Sequence, residues 1–206
     1  MNIKKSGYVS ILPFIFFIVY SFNVYPQTKG KELLHTLQTK FDSIKDISAD
    51  FVQYTDGRKM LSGKIYYQKE NKIRINLNNN ILVSDGVSTW NYNKKQNKVI
   101  INNYDPNDVS VLSLRNFIDI IPSKCSVEEK NGSGNTLVLI PDSSDISFKE
   151  AVIKINSQDL IENLSILNGE GQNIKIVLSN YKLNQGLPKT LFHLNAPKGS
   201  HIIDLR

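Results

Sequence analysis

Residues able to do covalent or metal chemistry are few in this 206-residue chain, and their spacing does not suit it. His35, His193 and His201 have neither the H-E-x-x-H spacing that sets two imidazoles on one helix face nor a Cys/His metal-ligand arrangement. Cys125 is the sole cysteine, so no intrachain disulfide can form, and its expected role is that of a small buried hydrophobe. There is no G-x-S-x-G elbow and no phosphate-binding loop. Gly169-Glu170-Gly171 lacks the third glycine of a dinucleotide fingerprint and reads as a hairpin turn. Asp85 beside Ser84 has no base nearby in sequence, and a turn explains it. No catalytic residue, metal or cofactor is expected.

The stretch from Ile81 to Asn93 shows which elements must do the positioning. An apolar run, Ile81-Leu82-Val83, meets Asp85-Gly86, and an alternating arm follows in which Trp90, the only tryptophan, shares a face with Tyr92. Asp-Gly suits a tight hairpin because Gly accepts positive φ without a Cβ clash. A hairpin carrying a core aromatic is the plain reading. The flanking segments give it more meaning.

From Lys29 to Lys45 the pattern is helical: Leu33, Leu37, Phe41 and Ile44 recur at steps of four, four and three. After it the period changes to two. Strands are expected at 47–54, 61–68, 73–77, 81–84, 88–93 and 98–103, linked by short turns, and hairpin-length links argue for an antiparallel meander. Ile73, Ile75 and Leu77 alternate with Arg74 and Asn76, which gives that sheet one apolar and one polar face. Asn107 or Asp108 caps a short helix bearing Val111, Leu112, Leu114, Phe117, Ile118 and Ile121, stopped by Pro122. Strand-like runs resume at 125–129, 136–140, 148–155, 160–167, 174–183 and 190–194. The expected class is mostly β with α: a single curled antiparallel sheet of about ten or eleven strands, a half-open, incomplete β-barrel covered by helical lids. Twist accumulates across so many strands and curls the sheet, so its concave face must be filled or covered. A solid core beneath the helices is the competing expectation.

The first residues read as an address. Lys4 and Lys5 precede an apolar core, Ile11 to Phe22, too short for a span of about 20 apolar residues. Residues 1–27 are therefore expected to be a signal peptide, cleaved loosely between Asn23 and Lys29, with 28–206 as one domain. An uncleaved anchor is the competing reading. Loss of Lys4 and Lys5 takes the formal charge from +6 to +4 and leaves Phe41, Phe51, Phe117, Phe148 and Phe192 as the phenylalanines. The lysines are scattered, with no basic cluster interleaved with aromatics, so nucleic acid is not an expected partner.

The chain resembles the outer-membrane lipoprotein carrier family, the LolA-like periplasmic chaperones. The resemblance rests on Ala49-Asp50-Phe51-Val52-Gln53, Gly63-Lys64-Ile65-Tyr66-Tyr67, Lys72-Ile73-Arg74, and Val83-Ser84-Asp85-Gly86 followed by Thr89-Trp90-Asn91-Tyr92-Asn93. Phe192 to Gly199 and Ile203-Asp204 resemble the closing segment. No single piece is specific; their order over about 150 residues is. The resemblance implies a monomeric periplasmic carrier, not an enzyme. It would take acylated lipoproteins from an inner-membrane ABC exporter to an outer-membrane receptor or the outer membrane itself. Phe51, Ile73, Ile75, Leu77, Trp90 and Tyr92 would line the sheet side of an acyl-chain cavity. Leu37, Phe41, Leu112, Leu114, Phe117 and Ile118 would line the lid side, and Arg74 or Arg115 would touch lid or polar head. Plain core packing is the alternative for each. If the cavity is vacant, Trp90 fluorescence is expected to shift on lipid binding. Glu70-Asn71 depart from the Arg-Pro common before the apolar-Arg strand, which places the family's lid latch in question. A lipid-sensing module like the RseB regulators, or a carrier of other lipids, is the second reading. A hydrolase is the third, disfavoured by the missing motifs.

Overall fold

The computed structural model describes residues 26–105, 115–130 and 132–206. The expected leader lies almost wholly outside these residues. So do the first half of the expected 108–121 helix, Leu112 and Leu114 among it, and Asn131 of the 131–134 turn.

Helix α1 runs Pro26–Ser43, and its buried side is Leu34, Leu37 and Phe41. Twelve strands follow: β1 Asp46–Thr55, β2 Arg58–Gln68, β3 Lys72–Leu77, β4 Asn80–Asp85, β5 Ser88–Asn93, β6 Lys98–Asn103, β7 Cys125–Glu129, β8 Thr136–Pro141, β9 Phe148–Ile155, β10 Ile161–Asn168, β11 Asn173–Leu183 and β12 His201–Asp204. All belong to one curled sheet in the order β12-β6-β5-β4-β3-β2-β1-β11-β10-β9-β8-β7. Eleven of the twelve expected strand-like runs are present. The twelfth, 190–194, is instead a 3-10 turn at Lys189–Phe192 that follows Pro188. The remaining strand, β12, pairs in parallel with β6, so the sheet is antiparallel except at that edge.

Pairing register sorts the side chains into two faces, since directly opposed residues share a face. The inner face carries Val127, Leu139 and Ala151 in one row and Leu137, Ile153, Leu164 and Ile176 in the next. It continues through Phe51, Ile65, Ile73 and Ile75. With α1 and the turn at residues 115–121, these form the main buried cluster. At the β7 edge the helix comes close through Gly30, where a Cβ would stand 2.8 Å from the Glu128 Cα. The outer face holds a second cluster, Val83, Trp90, Val99 and Leu194, flanked by Ile81, Tyr92 and Ile101.

Candidate functional site

The inner face has an apolar gap where the C-terminal end of α1 meets β1, β2, β3 and β11. Phe41, Ile47, Ala49, Ile65, Tyr67, Ile73, Arg115, Leu178 and Tyr181 line it, and its enclosed volume is about 20 Å³. That is room for about one water. The hollow is thus nearly filled by the protein's own side chains, Leu37 and Ile118 among them, both fully buried.

Polar contacts trim this apolar gap along one rim. Arg115 donates from Nη1 to the Tyr67 hydroxyl at 2.9 Å, from Nε to Asp119 at 2.6 Å and from Nη2 to Asp42 of α1 at 3.4 Å. Gln38 Nε2 of α1 donates to the Ile118 carbonyl at 3.0 Å. One guanidinium therefore ties the helix, the turn and β2 together. The hydrogen bond to Asp119 is the main reason that Arg115 holds its proton more firmly than an ordinary arginine. Burial pushes the Tyr67 hydroxyl up, with the Arg115 charge opposing, so the pair stays a neutral phenol beside a cation at every physiological pH. Tyr181, deeper in the wall, donates to the Ile161 carbonyl at 2.6 Å, and burial raises it too.

Of the residues expected on the sheet side, Phe51, Ile73, Ile75 and Leu77 do share the inner face, packed with Leu37, Phe41, Phe117 and Ile118 from the lid side. The Phe117 ring lies 6.1 Å from that of Phe148. Trp90 and Tyr92 do not join them. Ile73 opposes Ser84, and Ser84 opposes Thr89, whereas Val83 opposes both Arg74 and Trp90. Trp90 and Tyr92 thus stand on the outer face, with the His193 ring 4.9 Å from that of Trp90. The run Ile81-Leu82-Val83 is apolar on both sides, so its sequence could not tell which parity faces inward. The same parity removes Arg74 from the lid. Its Nη1 donates to the Leu191 carbonyl at 3.1 Å on the outer face, and burial lowers its pKa.

Glu70 and Asn71 form the β2–β3 turn at φ 67° and 58°. Glu70 is exposed and pairs with Lys72, while its neighbour Lys69 donates from Nζ to the Asp42 carbonyl at the end of α1. This turn also meets the β4–β5 turn. A Cβ on Gly86, at φ 93°, would stand 2.3 Å from the Glu70 carbonyl oxygen, so Gly86 serves close approach as well as turn geometry. Sequence reasoning missed Tyr67, Asp42, Asp119, Leu178 and Tyr181. Tyr67 was within reach, because it shares strand parity with Ile65.

Residues 42–195 match the family described as "Outer membrane lipoprotein carrier protein LolA". Curated relatives include the outer-membrane lipoprotein carrier protein of Actinobacillus pleuropneumoniae, 26% identical over 181 residues that span 82% of this chain and 83% of that protein. The protein of the same name from Legionella pneumophila is 24% identical over 198 residues, 92% of this chain and 96% of its own. Among solved structures, an uncharacterized conserved protein from Thermus thermophilus superposes with a TM-score of 0.56 at 13% identity, covering 84% of this chain and 98% of that one, which speaks to fold alone. With more than half of its length matched, the chain belongs to the LolA family.

Proposed function

We propose that this protein is a periplasmic carrier that shelters the acyl chains of lipoproteins in the hollow beneath α1 and the 115–121 turn. The observation that supports it most is the construction of that hollow. A wide apolar sheet face is covered by a helix and a turn, and among the described residues side-chain contacts, with few hydrogen bonds, join those covers to the sheet. Each CH₂ exposed to water costs about 0.8 kcal/mol, so a triacylated anchor crossing an aqueous compartment needs a shelter. A cover that can be displaced trades its own burial for that of the ligand, which makes holding reversible.

In this reading Phe51, Ile73, Ile75 and Leu77 are the floor, and Leu37, Phe41, Phe117 and Ile118 are the cover. Arg115 with Tyr67 is the latch that sets how often the hollow opens. An inner-membrane ABC exporter would load the monomeric carrier, and an outer-membrane receptor or the membrane itself would unload it. Residues 1–27 would direct it to the periplasm. The test is to purify the exported protein and identify by mass spectrometry what accompanies it. Acylated proteins are the expected result. Free lipids alone would assign the hollow to another lipid cargo, and an empty protein that takes up no lipopeptide would overturn the reading.

A further inference from the structure

Strand β2 is longer than its neighbour on one side. It begins at Arg58, but its pairing with β3 begins only at Gly63, opposite Leu77. Residues 58–62 are held by β1 alone, so the β1–β2 hairpin projects past β3 as a ledge with one free edge. A bulge shifts the register there: Gln53 opposes Leu61 and Tyr54 opposes Lys59, which leaves Met60 as the extra residue. All five residues of this segment are exposed, Met60 at 60% and Leu61 at 42%. Arg58 and Lys59 precede them directly. Tyr54, opposite Lys59, also opposes Lys175 on β11, so two lysines flank one aromatic across the sheet. Among the described residues none of Arg58, Lys59 and Lys175 is ion-paired with a carboxylate. The nearby Asp56 instead accepts the Asn173 N–H at 2.9 Å.

Lysines at a free strand edge are a common guard against edge-to-edge pairing. A guard alone does not account for Met60 and Leu61 standing open beside them. An exposed apolar pair on a projecting hairpin, with Arg58 on the face of Leu61 and Lys59, Tyr54 and Lys175 on the opposite face, is the composition that settles into an anionic lipid–water interface. We propose that this ledge is a membrane-contact surface whose partner is the anionic headgroup layer of a bilayer. Met60 and Leu61 enter the headgroup region, while Arg58, Lys59 and Lys175 meet lipid phosphates. The ledge extends the inner-face strand row of Phe51–Gly63 by Gln53–Leu61, at the end of β2 away from Tyr67 and the latch. The inference rests on surface chemistry and stands whatever the hollow carries.

Sedimentation with phosphatidylglycerol-containing vesicles, at low and at high salt, tests it. The whole exported chain is expected to bind anionic vesicles, lose binding as salt rises, and ignore purely zwitterionic ones. Each Lys or Arg near such a surface contributes about fivefold to partitioning, so Arg58→Ser with Lys59→Ser is expected to weaken binding about 25-fold. Met60→Ser with Leu61→Ser is expected to weaken it at all salt concentrations. These side chains are exposed, so folding is expected to survive, which circular dichroism and unchanged lipopeptide uptake would verify. Absence of vesicle binding by the parent protein, or full binding by both double variants, overturns the proposal.

Discussion

The inner face of this sheet and the β4–β6 part of its outer face are both covered, but by different kinds of bond. Over the inner face lie α1 and the 115–121 turn, whose ties to the sheet and to each other are mostly side-chain contacts: Arg115 to Tyr67, Gln38 to Ile118, and Lys69 Nζ to the Asp42 carbonyl at 2.7 Å. Over the outer face of β3 to β6 lies the C-terminal strap, residues 184–206, held by hydrogen bonds to its main chain and by backbone pairing. The buried Asp46 carboxylate accepts the N–H groups of Gln185 and Gly186 at 2.8 and 2.9 Å and, more weakly, that of Leu187 at 3.4 Å. Asn97 donates to the Gly199 carbonyl at 3.0 Å and accepts from Ser200 at 2.8 Å, and β12 then pairs with β6. Backbone pairing is directional and cooperative, and it cannot slide. Apolar contact is not directional and can be exchanged for another apolar surface. In the proposed carrier, this difference makes the inner cover the one to lift and the strap the one to stay.

Breaking that contrast starts with the largest side chains. Trp90→Ala is expected to cost about 3–5 kcal/mol of stability, the usual range for a buried aromatic, and to leave acyl-chain affinity unchanged. Leu37→Ala, at a fully buried site of the movable cover, is expected to cost about 2–5 kcal/mol and to strengthen lipopeptide binding, because the cover loses burial that competes with ligand. Denaturant titration and calorimetry read both quantities, and a Trp90 variant with altered affinity would blur the two regions into one.

Next in size is the strap's anchor. Asp46→Ala leaves three backbone donors without their acceptor, a loss of about 3 kcal/mol, and is expected to expose the Trp90 cluster to quenching by iodide. Smaller again is the latch. Tyr67→Phe removes one hydrogen bond worth about 1 kcal/mol from the closed form, which should tighten lipopeptide binding about fivefold. Unchanged affinity would mean that opening does not limit binding.

The smallest effect belongs to pH. The side-chain hydrogen bond from Arg206, helped by a backbone one, holds the Asp204 carboxyl down at about 2. A carboxyl depressed in the folded state adds stability above its unfolded value and loses it as pH falls toward the folded value. Docking of β12 is therefore expected to weaken between about pH 4 and pH 2, seen as faster amide exchange at Ile203 and Leu205 while β1 stays protected.

Much of this architecture was legible before any coordinates. Period-two alternation located eleven strands, and the step-four stripe Leu33-Leu37-Phe41 located α1. Parity was the failure. Wherever both faces of a strand are covered, as in Ile81-Leu82-Val83, alternation no longer says which side is inside, and Trp90 and Tyr92 were assigned to the wrong one. The short parallel strand β12 was equally hidden, because four residues beside Gly199 carry too little pattern to announce pairing with a partner a hundred residues away. The latch was out of reach for a related reason. Asp42, Tyr67 and Arg115 are far apart in sequence and meet only because the sheet brings β2 under the end of α1. At the site itself, the apolar floor was readable from Ile73, Ile75 and Leu77, while of its polar rim only Arg115 was named, without its partners Tyr67, Asp42 and Asp119.

The most direct test of the inner hollow uses an acyl chain that carries its own quencher. In a Trp90→Phe background, the tryptophan of Phe41→Trp should be strongly quenched by a lipopeptide with brominated acyl chains. Trp90 of the parent protein, on the other face, should keep its emission at the same occupancy. Equal quenching of both, or quenching of Trp90 alone, would contradict a cargo site beneath α1.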